Sequence, residues 1–503
     1  MEMTEKIDHE RARYRSILKS TSLIGSASVS NILIGMVRMK FVAVLLGPLG
    51  VGLLGMYGQI SGFVGAVTGM GINNSGVRQV AEAVSSDDQA RIARTVITLR
   101  RTAWLTGLLG FLVMVVFSVP ISRVTFGTSD YSIQIAALGI TLLSGAIAAG
   151  QGCVITGTRR ISDLAKISVF GGISGTLISI PLFYYYGQEG IIPSLILSSL
   201  ASLTTSWWFA RRIPVLPLDL SWRESYGETR QLLSLGVSFM GAGLVLALSG
   251  YLIRIVMLRQ FSLADVGMYQ AAFNISGVLV GFVLNAMGAD YYPRLTAVAN
   301  DNTCVHRMVN EQSQISILLA LPGLAAMMVL APLVIKLFYS ASFEKAVPIL
   351  HWCILGMLGR VFSWPLGFVM LAKGKGRLFF ITEALASGMH LAAVYLLILI
   401  WGLNGAGMAF TLLYVVYTGV MLVVMRKMVG ETWTKHTIML TLIASAVLAL
   451  LMINCTFNSN VIYAWTINLF IIVIVSIVCI RQLSVRADID YRVLLSRYLK
   501  WNI

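Results

Sequence analysis

The sequence predicts an all-α integral membrane protein of about fourteen transmembrane helices, with two pseudo-symmetric six-helix lobes around a central cavity and two further C-terminal helices. Three observations predict this fold class: an apolar composition, fourteen apolar runs and an internal repeat. Hydrophobic residues make up 57% of the 503 residues, charged residues only 12%, and the mean hydropathy is +0.80. Because a soluble globular chain carries about 25% charged residues, we expect most of this apolar surface to face lipid.

Each apolar run is close to the roughly 20 residues that a helix needs to cross a bilayer. Lipid offers no partners for backbone N–H and C=O groups, so each run is expected to be helical. The predicted spans are 20–46, 50–72, 102–121, 132–155, 164–186, 190–210, 232–258, 266–288, 315–338, 346–371, 378–400, 404–425, 437–454 and 461–480.

Lysine and arginine are concentrated in alternate loops and in both terminal segments. The intervening loops contain only Arg123, Arg259, Lys336 and Lys345. By the positive-inside rule, both termini are predicted to be cytoplasmic in a bacterial inner membrane. The net charge of +16 then reflects cytoplasmic loops, and no nucleic-acid partner is expected. The N-terminal segment lacks the features of a signal peptide, so the first helix is expected to stay attached.

The segment 37–52 can be laid over 253–267. Arg38 and Arg254 are 216 residues apart, and following the same register brings Arg78 onto Arg294. Each half also holds six apolar runs in similar order, which favours a six-plus-six duplication of the parallel-repeat type. We therefore predict an N-terminal six-helix lobe at 1–215, a C-terminal six-helix lobe at 216–430, and two extra helices with a basic cytoplasmic tail at 431–503.

Three arginines lie inside predicted spans, where a charge is costly unless it faces a cavity or reaches the interface. Arg360 lies near the middle of its span and is the best single candidate for a cavity residue. Arg38 is deep enough for a cavity but could also extend to the interface, and Arg254 is at similar depth in the matching helix. Arginine binds phosphate oxygens with a planar pair of donors, so the three predict a site for a phosphate-bearing substrate.

Glu383 and His390 lie seven residues apart and therefore on one helix face. They are candidates for proton or sodium coupling, although a carboxylate in a first helical turn is also favoured without any such role. Two further pairs, Arg78 with Glu82 and Asp290 with Arg294, have i,i+4 spacing at predicted cytoplasmic helix ends. The simplest interpretation of these pairs is an ordinary interfacial ion pair.

The sequence contains no signature of an enzyme or of a metal site. The five cysteines are scattered singly, no phosphate-binding loop or hydrolase motif is present, and the outer loops are as short as "GPLG", "GQEG" and "GLNG". A membrane glycosyltransferase or polymerase usually needs a larger loop for its active site. We therefore predict a non-enzymatic protein without a bound cofactor or metal.

One hairpin carries a family resemblance. The segment "LLGPLGVGLLGMYGQISGFVGAVTGMGINNSGVRQVAE" (45–82) resembles the first hairpin of the O-antigen and polysaccharide-unit flippases. These form the Wzx-type branch of the multidrug/oligosaccharidyl-lipid/polysaccharide exporter superfamily. The residues that carry the resemblance are Gly47, Pro48, Gly50, Gly52, Leu53, Gly55, Gln59, Gly69, Gly71 and Arg78.

The resemblance implies a transporter that moves an undecaprenyl-diphosphate-linked oligosaccharide, such as an O-antigen unit, from the cytoplasmic to the periplasmic leaflet by alternating access. It also implies lipid and polysaccharide polymerase or assembly proteins as partners. Many members of this branch have twelve helices, whereas the related peptidoglycan-precursor (lipid II) flippases have fourteen and use the extra pair in a lipid-tail groove. A lipid II flippase is therefore one alternative. A multidrug/cation antiporter is another, but it predicts buried acidic residues in the first lobe.

Overall fold

The computed structural model describes the backbone of residues 2–457 and 461–487, and most side chains from Gly25 onward. The basic tail after residue 487 and the basic side chains before residue 25 lie outside the described residues. Every regular element within the described part is helical. The α-helices are α1 (Glu2–Thr68), α2 (Ile72–Ser85), α3 (Gln89–Val116), α4 (Ser118–Phe126), α5 (Ser132–Gly157), α6 (Ile161–Tyr186), α7 (Ile191–Ala210), α8 (Trp222–Gln260), α9 (Leu263–Ala297), α10 (Asn302–Val329), α11 (Ala331–Phe338), α12 (Ala346–Ala372), α13 (Gly376–Trp401), α14 (Asn404–Val429), α15 (Lys435–Phe457) and α16 (Val461–Ala487).

Twelve stretches of the described residues are long and apolar enough to cross a membrane. Two of them, Gly25–Thr68 with 44 residues and Ile161–Ala210 with 50, are each long enough for two crossings. Gly47, with φ 66°, interrupts the first of these, in a conformation that glycine adopts without steric cost. A 3₁₀ turn at Gly187–Gly190 interrupts the second. Counting each as two crossings gives fourteen, which confirms the predicted fold class.

Two predicted spans, 102–121 and 315–338, run across helix breaks and their boundaries were wrong. The α3 helix ends at Val116, and α4 starts at Ser118 with Pro120 in its first turn. In the same way α10 ends at Val329, and α11 starts at Ala331 with a proline at one of its first two positions. Proline is favoured in the first turn of a helix, so both prolines favour a new helix start at these positions, although Pro322 lies inside α10 and Pro365 inside α12.

The order of helices repeats along the chain, as expected after a duplication. The α3 and α10 helices both have 28 residues, begin at an aspartate N-cap, and are followed by a short helix. Asp88 accepts hydrogen bonds from the N–H groups of Ala90 and Arg91, and Asp301 accepts one from that of Cys304. Pairs of similar length follow: α5 and α12 with 26 and 27 residues, and α6 and α13 with 26 each.

The chain forms two compact units, 1–267 and 268–503. The first unit includes α8, because α8 packs against α1, α2, α3 and α4. The duplication predicts a boundary at 215/216, on the other side of α8, so the division into 1–215, 216–430 and 431–503 stays a prediction about the repeat. In the second unit α10 packs against α12, and α15 and α16 both pack against α10.

Two close backbone contacts in the first unit depend on glycine. A Cβ atom added to Gly267 would overlap the carbonyl oxygen of Pro48, and one added to Gly52 would overlap the carbonyl oxygen of Leu263. The two halves of this contact are related by the sequence repeat, since both pairs of matched residues are 215 positions apart. At the N-terminus of α2, a Cβ at Gly71 would overlap the carbonyl oxygen of Gly236 on α8. Small residues allow this approach of helix backbones.

The first turn of α15 and the residue before it are attached to α10 by hydrogen bonds. The Asn310 side-chain oxygen accepts from the Thr434 N–H at 2.8 Å and from the Thr437 hydroxyl at 2.7 Å. Gln314 donates to the Thr437 hydroxyl oxygen at 2.7 Å. Polar groups away from water cost free energy unless they are paired, so these contacts fix where α15 begins on the surface of α10.

Candidate functional site

Arg38 lies on the first half of α1 and faces α6 and α7. Its Nη1 atom is next to Gly175 on α6, and Ser198 on α7 lies beside the same glycine. Its Nε atom is buried, and no described residue accepts a hydrogen bond from it. A cationic donor left unpaired within a membrane span is costly. An anion that accepts from this guanidinium would remove the cost.

Arg254 lies on α8 and is 5% exposed. Its Nη1 atom donates to the carbonyl oxygen of Gly250 at 2.9 Å. The side-chain oxygen of Gln59, on the second half of α1, is adjacent to the same glycine. The two arginines matched by the sequence repeat therefore have different neighbours: Arg38 faces small residues of α6 and α7, whereas Arg254 is packed beside α1.

In the second unit, the side chains of Arg360 and Glu383 both lie near the same tyrosine. Tyr414 on α14 lies close enough to both side chains to interact with each charge. Tyr417, one turn further along α14, donates its hydroxyl to Glu383 at 2.5 Å. Among the described residues none forms a hydrogen bond or salt bridge with the Arg360 guanidinium. The approach of α12 to α14 depends on Gly359, where an added Cβ would lie 2.7 Å from that of Tyr414.

His390 is joined to this group through aromatic rings. Its ring lies 5.9 Å from that of Phe410, and Phe410 lies 5.0 Å from Tyr414. The imidazole is 8% exposed, and its Nε2 atom has no hydrogen-bond partner in the described part of the chain. Glu383 and His390 thus both face α14, as their seven-residue spacing indicates. Tyr414 and Tyr417 were missed by the sequence reasoning, although "YVVY" in an apolar run places both on one helix face.

The remaining predicted charges form contacts of a structural kind. Arg78 pairs with Glu82 at 2.7 Å, and Arg294 with Asp290 at 2.9 Å. All four side chains are more than half exposed and lie outside the candidate spans. Exposed ion pairs of this kind contribute about 0–1 kcal/mol. We find in them no geometry that would bind a substrate.

Arg259 caps a helix. Its Nη2 atom donates to the carbonyl oxygens of Arg123 and Val124 at 3.0 and 2.8 Å, in the last turn of α4. Cationic side chains near a helix C-terminus stabilise its unpaired carbonyl groups. In the described residues no group of three His, Cys, Asp or Glu side chains could hold a metal ion.

Comparison with known proteins agrees with the resemblance of the first hairpin. The family model described as "Polysaccharide biosynthesis protein" matches residues 41–348. The lipid III flippase of Escherichia coli (strain K12) is 24% identical over 409 residues, which cover 80% of this chain and 96% of that protein. The match to the family model extends over more than half of the chain.

Solved structures of the same fold are known. The lipid II flippase MurJ in an inward closed conformation has a TM-score of 0.69 at 12% identity, covering 93% of this chain and 99% of MurJ. An inward-facing multidrug resistance MATE transporter of the MOP superfamily also has a TM-score of 0.69, at 14% identity, and covers 81% and 98%. The protein is thus a multi-pass membrane protein with the MOP-superfamily fold, and the chain belongs to the polysaccharide biosynthesis protein family.

Proposed function

We propose that this protein is a flippase of the bacterial inner membrane. It moves an undecaprenyl-diphosphate-linked oligosaccharide, an O-antigen unit or a related surface polysaccharide unit, from the cytoplasmic to the periplasmic leaflet by alternating access. Family membership and the lipid III flippase relative support the class of substrate. The observation that carries the proposal is Arg38, an arginine within a membrane span whose buried Nε atom has no partner among the residues that the structure describes.

The diphosphate is the part of such a substrate that these arginines would bind. The Nε atom of Arg38 is buried and no described residue accepts a hydrogen bond from it, and Arg254 and Arg360 are the other two candidates. A guanidinium donates two parallel hydrogen bonds to phosphate oxygens. In the second unit Glu383, with its tyrosine donor, and His390 are the candidates for proton or sodium coupling. Polymerase or assembly proteins would take up the glycan after transport.

The proposal is tested with purified protein in liposomes that carry fluorescent undecaprenyl-diphosphate-linked oligosaccharide. A membrane-impermeant quencher measures how fast the label changes leaflet. Arg38→Ala is expected to lower the rate about 10- to 100-fold, since hydrogen bonds to charged groups contribute about 1.5–3 kcal/mol. Arg426→Ala, at an exposed arginine in the last turn of α14, is the matched control and should keep the wild-type rate. Equal rates for the two variants would refute the proposed role of Arg38.

A lipid II flippase is the second candidate. The likeness to MurJ extends over 93% of this chain, against 81% for the MATE transporter, and the chain has α15 and α16 beyond twelve crossings. The same liposome assay with lipid II as cargo distinguishes the two. Faster transport of lipid II than of an O-antigen-type oligosaccharide would favour this second candidate.

A further inference from the structure

The first unit contains a cavity of about 590 Å³, within the range of about 300–1,000 Å³ that is usual for ligand sites. The cavity lies between the second half of α1, the start of α2, and helices α3, α5 and α8. Most of its wall consists of glycine and alanine, and none of the described residues that line it is charged. Arg38 and Arg254 are not among these residues, so the cavity is separate from the arginine sites.

Two carboxamides of the wall have no hydrogen-bond partner among the described residues. Asn73 and Asn74 lie in the first turn of α2, their side chains are exposed, and both line the cavity. Neither forms a side-chain hydrogen bond with a described residue. A carboxamide offers two N–H donors and one acceptor oxygen. Two neighbouring carboxamides with free donors and acceptors can bind a ligand that carries several neutral polar groups.

Three threonine hydroxyls add acceptors to the same wall. Thr68, Thr106 and Thr141 each donate to a carbonyl of their own helix, at 2.9, 3.0 and 2.6 Å. Each hydroxyl proton is used in this bond, but each hydroxyl oxygen can still accept a hydrogen bond from a hydroxyl group of a ligand. The wall therefore provides donors from the asparagines and acceptors from both residue types, without any cation that would balance a phosphate.

We propose that this cavity binds the neutral sugar part of the transported lipid-linked glycan. A sugar ring presents hydroxyl groups that both donate and accept, together with apolar C–H faces that fit against glycine and alanine. The inference rests on the proposed function and assigns two parts of the substrate to two different sites. The arginines hold the charged diphosphate, and the cavity beside Asn73 and Asn74 recognises the uncharged sugar.

The cavity can be filled without disturbing the fold. A Cβ atom added to Gly145 on α5 meets no other atom within 4 Å, and Gly145 lines the cavity. Gly145→Leu therefore places a side chain where the sugar would lie. Gly152 is seven residues further along α5 and also has open space at its Cβ position, but it does not line the cavity. Gly152→Leu is the matched control.

The test measures binding of two probes to purified protein in lipid nanodiscs: undecaprenyl diphosphate, and undecaprenyl diphosphate carrying one N-acetylhexosamine. The wild type should bind the glycosylated probe more tightly. The double variant Asn73→Ala/Asn74→Ala should lose about 3- to 10-fold in affinity for that probe only, as expected for a few neutral hydrogen bonds. Gly145→Leu should also lose affinity for the glycosylated probe only, whereas Gly152→Leu should bind the glycosylated probe more tightly than the other probe, as the wild type does.

The outcomes separate the two proposals. Arg38→Ala should weaken both probes alike, because both carry the diphosphate. If the wild type binds both probes and the cavity variants keep its preference, the sugar site is refuted while the proposed function stands. If the wild type binds neither probe, the proposed function fails and the sugar site fails with it. The unfolding temperature of each variant shows whether it has kept its fold.

Discussion

The contact between Gly267 and Pro48 gives a sharp test of the packing in the first unit. A Cβ at Gly267 would overlap the Pro48 carbonyl oxygen and lie 2.9 Å from the Gly52 nitrogen, where ordinary contacts begin at about 3.4 Å. Every atom in the way belongs to the backbone, so no rotamer change relieves the overlap. Gly267→Ala must therefore separate two backbone segments, and overpacking of this kind typically costs about 1–3 kcal/mol.

The matched control is Gly58→Ala on α1, where an added Cβ meets nothing within 4 Å. Both positions are helical, so both variants gain the roughly 1 kcal/mol by which alanine exceeds glycine in helix propensity. This gain cancels in a comparison of the two. We expect Gly267→Ala to be less stable than Gly58→Ala by about 1–3 kcal/mol, measured as the free energy of unfolding in denaturant with tryptophan fluorescence.

A double variant extends this test. A Cβ at Gly52 overlaps the Leu263 carbonyl oxygen in the same contact, so separation of the segments relieves both overlaps at once. Gly52→Ala/Gly267→Ala should thus lose less stability than the sum of the single variants, as is usual for residues that share a contact. If Gly267→Ala and Gly58→Ala are equally stable, the contact itself is refuted. If the double variant loses the full sum of the two single losses of stability, the idea that one separation of the segments relieves both overlaps is refuted.

Three further predictions concern charged groups. From its proposed coupling role, Glu383→Gln should abolish the response of transport to an imposed proton or sodium gradient in the liposome assay, while Tyr417→Phe, which keeps the carboxyl group and removes only its donor, should weaken that response. Arg259→Ala should speed amide hydrogen exchange in α4, because two carbonyl oxygens lose their donor; unchanged exchange would argue against the capping role. Hydrogen bonds from the Ser221 backbone and hydroxyl hold the pKa of Glu224 below its ordinary value of 4.5. A lowered folded pKa gives stability that is full above about pH 4.5 and is lost as the pH falls through the folded value. Ser221→Ala should therefore lose less stability than the wild type as the pH falls through this range. The free energy of unfolding of both proteins, measured at a series of pH values, checks this.

Most of the fold could be predicted because the membrane imposes strong rules. Runs of about 20 apolar residues must be helices, and the observed helices follow the predicted spans closely for α5, α6, α7, α12 and α13. The errors arose where hydropathy carries no boundary signal. The apolar character continues through Phe117 and Leu330, and only the following prolines mark the new helices α4 and α11.

The candidate site could be predicted only in part. Charges inside apolar runs are visible in a sequence, so Arg38, Arg254 and Glu383 could be selected without a structure. Their neighbours could not, because Gly175 beside Arg38 and Tyr417 beside Glu383 are distant in sequence and of common residue types. The cavity could not be predicted from the sequence either. It is built from glycine and alanine on five helices, and such residues are equally typical of tight packing.

The attachment of α15 to α10 bears on how a chain of this kind could gain or lose its last two helices. Asn310 and Gln314 bond to Thr434 and to Thr437 in the first turn of α15, so truncating the chain before Thr434 would leave their amides without these partners. A shortened version would need apolar replacements at both positions to be stable. The same reasoning predicts a sequence difference: homologues that end after α14 should carry apolar residues where this protein has Asn310 and Gln314.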